Sequence, residues 1–245
     1  MGSIGENIAG VRARIGLAAE RSGRPASDVT LVCVTKTRTV DEIREALEAG
    51  ECCFGENRVQ EFVEKYPKVQ DIAESLGKKR NIMWNLIGHL QRNKVKYIVG
   101  KAVLIHSVDS FQLAEEIDAR ARGAGETAQV LIQLNPADEK QKFGVPISGC
   151  EKLADEIDGR LRNVSLRGLM AVTPACEDPE GSRGYFRDVK SAFDTLAEKR
   201  GGAGNGFDYL SMGMTGDYEV AIEEGANIVR VGTAIFGPRS LEQRV

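Results

Sequence analysis

Leu31-Val32-Cys33-Val34-Thr35-Lys36-Thr37-Arg38-Thr39 is an apolar run that ends on a lysine and a hydroxyl-rich tail. Read as a strand of period two, it puts Val32, Val34 and Lys36 on one face, so the lysine shares its side with core-type residues. A doubly wound sheet would place a Gly-x-Gly-x-x-Gly after an early strand. Thr35-Lys36-Thr37-Arg38-Thr39 stands there instead. Desolvation of Lys36 would lower its pKa and favour the neutral amine that condenses with an aldehyde or ketone. On this segment alone, the competing reading is a strand-end lysine whose aliphatic stem carries its charge out to water.

Outward from this run, the chain alternates β-rich runs with helical patterns, after an amphipathic helix expected near residues 3–22. Strands are expected at 30–36, 51–54, 82–87, 103–106, 128–134, 164–169, 207–210 and 227–231. Helical patterns lie between them at 40–49, 58–66, 111–122, 147–158, 184–199 and 218–224. Thr39 and Ser110 are candidate N-caps, and Gly50, Gly123 and Gly225 follow or close helices. Eight β/α units in about 250 residues have the dimensions of a TIM barrel, with its active site at the C-terminal ends of the strands. No linker is long enough to separate domains, so residues 1–245 are expected to form a single (β/α)8 barrel with an extra N-terminal helix. The glycine-rich stretch 201–206 precedes a strand and opens no helix, and is read as a surface loop.

The 245 residues are 42% hydrophobic and carry a formal net charge of −3, which suits a sizeable core and argues against a nucleic-acid surface. The nearest basic run, Lys78-Lys79-Arg80, reads as a solvated loop. No apolar stretch approaches the roughly 20 residues of a membrane span. The N-terminus lacks a secretory apolar region, and Glu6 stands where a myristoylation signal needs Ser or Thr. A cytoplasmic protein is expected. The five cysteines, at 33, 52, 53, 150 and 176, show no Cys-x-x-Cys spacing and read as reduced, with Cys176 the most reactive. With only His89 and His106, and no metal-ligand spacing, zinc or iron is not expected.

If the barrel is right, Lys36, Glu56-Asn57, Gly88-His89, Asn135, Thr173, Ser211 and Gly232-Thr233 converge after their strands. TIM barrels often bind phosphate after strands seven and eight. There the chain reads Ser211-Met212-Gly213-Met214-Thr215-Gly216-Asp217 and Gly232-Thr233-Ala234-Ile235-Phe236-Gly237. Hydroxyls and small-residue turns suit a phosphate dianion, although ordinary βα turns favour the same residues. Arg230 lies two residues before Gly232, on the same face. Its partner would be a carboxylate or an aromatic ligand nitrogen. A lysine for an aldehyde, an arginine for a ring nitrogen and a hydroxyl-rich turn for a phosphate describe pyridoxal 5′-phosphate (PLP).

At this point the sequence resembles the YggS/PROSC family of PLP homeostasis proteins almost end to end. The segments that carry the resemblance are Val34-Thr35-Lys36, Phe54-Gly55-Glu56-Asn57-Arg58-Val59-Gln60-Glu61, Ile87-Gly88-His89-Leu90-Gln91-Arg92-Asn93-Lys94, Lys142-Phe143-Gly144, Gly168-Leu169-Met170, Ser211-Met212-Gly213-Met214 and 229–237. The resemblance implies a barrel like the N-terminal domain of alanine racemase, with PLP held as an internal aldimine on Lys36. It further implies that Arg230 faces the pyridine nitrogen, that Ser211, Gly232 and Thr233 hold the phosphate, and that Asn57 lines the site. The family usually reads Trp-His before Ile-Gly in the third strand, where this chain has Trp84-Asn85-Leu86-Ile87-Gly88. Trp84, Phe54 and Phe236 are expected in the core. Glu56 could orient Lys36 or stand as a helix N-terminal carboxylate. His89 reads equally as a loop residue or a cofactor contact.

The resemblance also implies that racemisation needs a second base, a tyrosine from an additional β-domain. Only a short tail to Val245 follows the eighth strand. A cation opposite the ring nitrogen makes the ring a poorer electron sink. The expectation is a protein of intracellular PLP homeostasis with little or no turnover, delivering PLP to apo PLP-dependent enzymes, and a monomer or weak dimer. The rivals are a PLP-dependent amino-acid racemase or lyase, and a class I aldolase in which Lys36 attacks a sugar-phosphate ketone.

Overall fold

The computed structural model describes residues 2–77, 82–139, 141–202 and 204–238. The expected loop Lys78-Lys79-Arg80 and the tail after Pro238 lie outside the described residues. Eight parallel strands close in sequence order: β1 (Thr30–Val34), β2 (Cys53–Glu56), β3 (Met83–Leu86), β4 (Leu104–Val108), β5 (Ala128–Leu134), β6 (Val164–Ala171), β7 (Tyr209–Ser211) and β8 (Ile228–Val231). β1 closes the barrel against β8, with Val32 opposite Arg230. Around them lie α1 (Ile4–Arg21), α2 (Val40–Glu48), α3 (Val59–Ser75), α4 (Phe111–Ala124), α5 (Ile147–Arg160), α6 (Arg183–Lys199), α7 (Tyr218–Glu223) and α8 (Thr233–Phe236). A 3-10 turn at Arg92–Tyr97 takes the place of a helix between β3 and β4. This is the expected TIM barrel with its extra N-terminal helix.

Strand parity divides the core in two. Leu31, Cys33, Phe54, Trp84 and Val229 point outward into the layer shared with the helices, where Trp84 packs on Phe54 and Phe62 with ring centroids 5.6 and 5.4 Å away. Val32, Cys53, Leu104, Leu131, Met170 and Ile228 point inward and plug the barrel. An apolar plug of this kind makes the barrel interior a packed core, not a pore. α1 seals the outside: Asn7 donates to the Ile235 carbonyl at 2.8 Å, and Arg21 pairs with Glu223 at 2.6 Å.

Thr39 caps α2 in a reciprocal capping box with Glu42. Ser110 occupies the N-cap position of α4, but its side chain makes no capping bond. That helix runs through Gly123 and ends at Gly125, φ +70, so the expected stop is two residues too early. The second strand also begins later than expected, at Cys53, which moves Glu56 out of the following loop and into β2. α3 continues past Tyr66 and through Pro67 to Ser75. Proline removes one main-chain bond and ends most helices. Here the buried Val69, Ile72 and Ala73 beyond it carry the helix on.

Gly168 shows a backbone demand of the barrel itself. Its φ is +150, and a Cβ there would lie 1.8 Å from the Tyr209 carbonyl oxygen on the neighbouring strand. The β5–β6 register slips just before it. Gly168→Ala is therefore expected to cost roughly 2–4 kcal/mol in urea unfolding. Gly159→Ala, on a helix surface with nothing within 4 Å of the added carbon, should be neutral or stabilising.

Candidate functional site

Above the apolar plug, the same inward parity turns polar. Val34, Lys36, Asn57, Ile87, Val172 and Arg230, with Met214, Thr215, Gly216, Gly232 and Thr233 from the last two βα turns, line a cavity of about 390 Å³ at the C-terminal ends of the strands. Five of the six sequence-expected site residues, Lys36, Asn57, Arg230, Gly232 and Thr233, meet there. Asn57 follows β2 directly, and its Oδ1 is buried with no protein partner. A buried carbonyl oxygen without a donor is costly unless a ligand or water supplies one. Gly88 lets the β3 loop pass against it: a Cβ at Gly88 would sit 2.3 Å from the Asn57 main-chain oxygen.

Ser211, the sixth, is buried beneath the cavity and is not among its lining residues. Its Oγ accepts from Arg230 Nη1 at 2.6 Å and lies 3.0 Å from His106 Nδ1. Arg230 Nη2 donates to the Ala171 carbonyl at 2.8 Å. Among the described residues, the hydrogen-bond partners of this buried cation are thus a hydroxyl and a carbonyl, with no carboxylate. Burial pulls its pKa down to about 10, opposed by the Asp217 charge. It remains a cation at neutral pH.

The chain of bonds continues from His106 Nε2 to Asn85 Oδ1 at 3.2 Å, and Asn85 Nδ2 donates to the Phe54 carbonyl at 3.0 Å. One assignment satisfies all of it: a neutral imidazole whose Nε2–H donates to Asn85 and whose Nδ1 accepts the Ser211 hydroxyl proton. Burial, with the Arg230 charge behind it, holds His106 well below its ordinary pKa. Asn85, which replaces the histidine the resemblance would expect, points inward and is fully engaged.

The turns after β7 and β8 lock to each other. Gly232 N–H donates to Thr215 Oγ1 at 3.3 Å, and Arg230 N–H donates to the Gly213 carbonyl at 3.1 Å. Gly213 has φ +90 and backs onto Ala221, whose Cβ would be 2.6 Å from an added carbon. α8 opens at Thr233, and the Ile235 and Phe236 N–H groups both donate to the Gly232 carbonyl at 2.9 Å.

Other expected residues lie apart from the cavity lining. His89 stacks on Phe143 with ring centroids 3.7 Å apart. Asn135 closes its own loop on Glu139, and Thr173 donates to Asp217 at 3.2 Å. Lys142 pairs with Glu139 at 2.6 Å. Glu56 is neither a loop residue nor a helix-terminal carboxylate: it points outward from β2 to Lys65 of α3, 2.7 Å away. Sequence reasoning allowed Asn85 an inward hydrogen bond, which it makes, but missed His106 as the partner and the part played by Thr215. The signal for His106 was the one that singled out Lys36, an ionisable residue in a strand-like apolar run. Thr215 stood inside the quoted turn.

The family described as alanine racemase, N-terminal domain, matches residues 7–240. A pyridoxal phosphate homeostasis protein of Aquifex aeolicus is 43% identical over 96% of this chain and 97% of its own. The chain belongs to the pyridoxal phosphate homeostasis protein family. Among solved structures, a protein from Bifidobacterium adolescentis is 38% identical with a TM-score of 0.87, covering 95% of this chain and 94% of its own. PipY of Synechococcus elongatus PCC7942, solved with PLP bound, is 32% identical with a TM-score of 0.78, covering 96% of this chain and 100% of its own. No helix among the described residues is long and apolar enough to cross a membrane.

His106 gives this member of the family a pH signature. The folded chain binds the imidazole proton more weakly than the unfolded chain, so its contribution is complete above about pH 6.5 and is lost as pH falls below that value. Urea midpoints should decline from pH 7.5 to pH 5, and His106→Gln should flatten that part of the profile.

Proposed function

We propose that this chain binds pyridoxal 5′-phosphate covalently through Lys36 and serves PLP homeostasis, holding the cofactor and releasing it to apo-enzymes. The observation that carries the reading is the convergence of Lys36, Asn57 and Arg230 around one cavity, with Asn57 Oδ1 buried and unpartnered in its wall. The residues present fit the group. Lys36 would supply the amine, Arg230 would face the ring nitrogen, and Thr233 with Gly232 and Thr215 would hold the phosphate; Asn57 would take a donor from the ligand or from a water on it. Ser211 supports the phosphate end only through Arg230 and the β7 turn, because its hydroxyl is already engaged on Arg230 and His106. PLP supplies an aldehyde that condenses with an amine, with loss of one water.

Little or no turnover fits the same geometry. A guanidinium that keeps its charge beside the ring disfavours protonation of the ring nitrogen, and this weakens the ring as an electron sink. We take the whole chain, residues 1–245, as one cofactor-binding domain acting in the cytoplasm. Its free cysteines suit a reducing compartment.

Borohydride reduction followed by peptide mass mapping tests the reading. A pyridoxyl group on Lys36 is expected, together with an absorbance band near ~420 nm that disappears on reduction. Absence of both after PLP addition would refute it. Lys36→Ala should abolish the label and retain weaker, phosphate-dependent binding. Thr233→Ala should weaken retention by about 1–3 kcal/mol, the cost of a charge-assisted bond left unmade. Transfer of PLP from the loaded protein to an apo-enzyme, faster than from buffer alone, checks the delivery step, and steady turnover of an amino acid lost in Lys36→Ala would replace it with an enzyme.

A further inference from the structure

Phe54-Gly55-Glu56-Asn57-Arg58-Val59-Gln60-Glu61 sends Asn57 into the cavity, whereas Glu56 and Glu61 turn the other way and meet Lys65 behind the strand ends. Lys65 Nζ donates to the Thr35 carbonyl at 2.7 Å, to Glu56 Oε1 at 2.7 Å and to Glu61 Oε2 at 2.8 Å. An ammonium has three protons, and all three are used. Thr35 Oγ1 donates to the same Glu56 oxygen at 2.7 Å, and Thr37 N–H donates to Glu61 Oε2 at 2.7 Å. The residues on both sides of Lys36 are thus tied to α3 by main-chain groups. Thr37 has φ +62, a conformation that a β-branched residue adopts only when its surroundings impose it.

The cluster is buried: Glu56 is 0% exposed and Lys65 7%. Burial raises the Glu56 pKa against the pull of Lys65 and Thr35. Burial pushes Glu61 up as well, but its bonds from Lys65 and Thr37 outweigh this and leave it below the ordinary value. All of these bonds fasten the end of β1 to β2 and α3, and none reaches the turns after β7 and β8.

The geometry points to Glu61 and Lys65 as positioning residues for Lys36: they clamp the main chain on either side of it and present its amine to an aldehyde ligand without touching that ligand. This rests on the cofactor reading above. A clamp confined to β1 separates two quantities, covalent capture at Lys36 and non-covalent affinity at the phosphate turns.

Glu61→Ala removes the acceptor of Thr37 N–H and leaves Lys65 paired with Glu56. Borohydride-fixed pyridoxyl incorporation at Lys36 should slow by about tenfold, the scale of a modest misplacement of a reacting group. Affinity for pyridoxine 5′-phosphate, whose alcohol cannot condense, should stay unchanged. Amide hydrogen exchange in the peptide containing Thr37 should accelerate. Glu61→Gln, whose amide oxygen still accepts from Thr37, should restore capture. The double variant Lys65→Met with Glu56→Gln, which removes both buried charges together, should show the same split. Unchanged capture in Glu61→Ala would overturn the proposal, as would an equal loss of pyridoxine phosphate affinity. If the wild-type protein takes no label, the cofactor reading fails. Faster exchange at Thr37 in Glu61→Ala would then still uphold the clamp, and unchanged exchange would overturn it.

Discussion

A guanidinium sealed inside the barrel is the constraint around which the upper half of this molecule is arranged. Arg230 is 4% exposed and has no carboxylate among its hydrogen-bond partners in the described residues. A buried cation needs its charge dispersed over fixed dipoles, or it is lost to deprotonation or solvent entry. The Ser211 hydroxyl and the Ala171 carbonyl provide those dipoles, from the two strands on its β6–β7 side. His106 and Asn85 continue the chain of bonds halfway round the barrel. The inward layer above the plug therefore holds a connected polar chain, and the cavity is the space above it.

This chain of bonds constrains the chemistry as well as the architecture. With the imidazole held neutral, Arg230 brings a positive charge to the cavity lining while its guanidinium bonds Ser211 and the Ala171 carbonyl. The walls above it carry an amine, an unpartnered amide oxygen and turns rich in hydroxyl and N–H groups. Such a site suits an anionic aromatic aldehyde, and among the described residues no carboxylate lines it.

Much of this was legible in the chain. Period-two patterning placed Val32 and Val34 on the inward face, as it did Arg230 on β8, because a strand alternates its side chains whatever it packs against; β1 ends at Val34, short of the expected 36, and Lys36 reaches the same cavity from the turn just beyond it. What the pattern missed depended on strand ends and on contacts from distant parts of the chain. Two residues of error at the start of β2 made Glu56 look like a loop carboxylate, although its outward parity binds it to Lys65. Helix α3 looked finished at Pro67, since the apolar contacts that carry it onward come from other strands and helices. Ser211 reads as a phosphate ligand from its turn alone; its bonds to Arg230 and His106 are made only by the packed barrel.

The sequence by itself determined the repeat, the barrel class, the lysine just beyond the first strand and the small-residue turns at the last two. Each of these is written in local order, in spacing, parity and turn chemistry. Tertiary structure alone decided which polar groups satisfy one another. Asn85, His106, Ser211 and Arg230 come from four strands, and Thr35, Glu56 and Lys65 from the loop after β1, from β2 and from α3. Their partnerships arise when the barrel closes and water leaves, and a buried polar group must then find its complement among whatever the closed sheet has brought within hydrogen-bond distance.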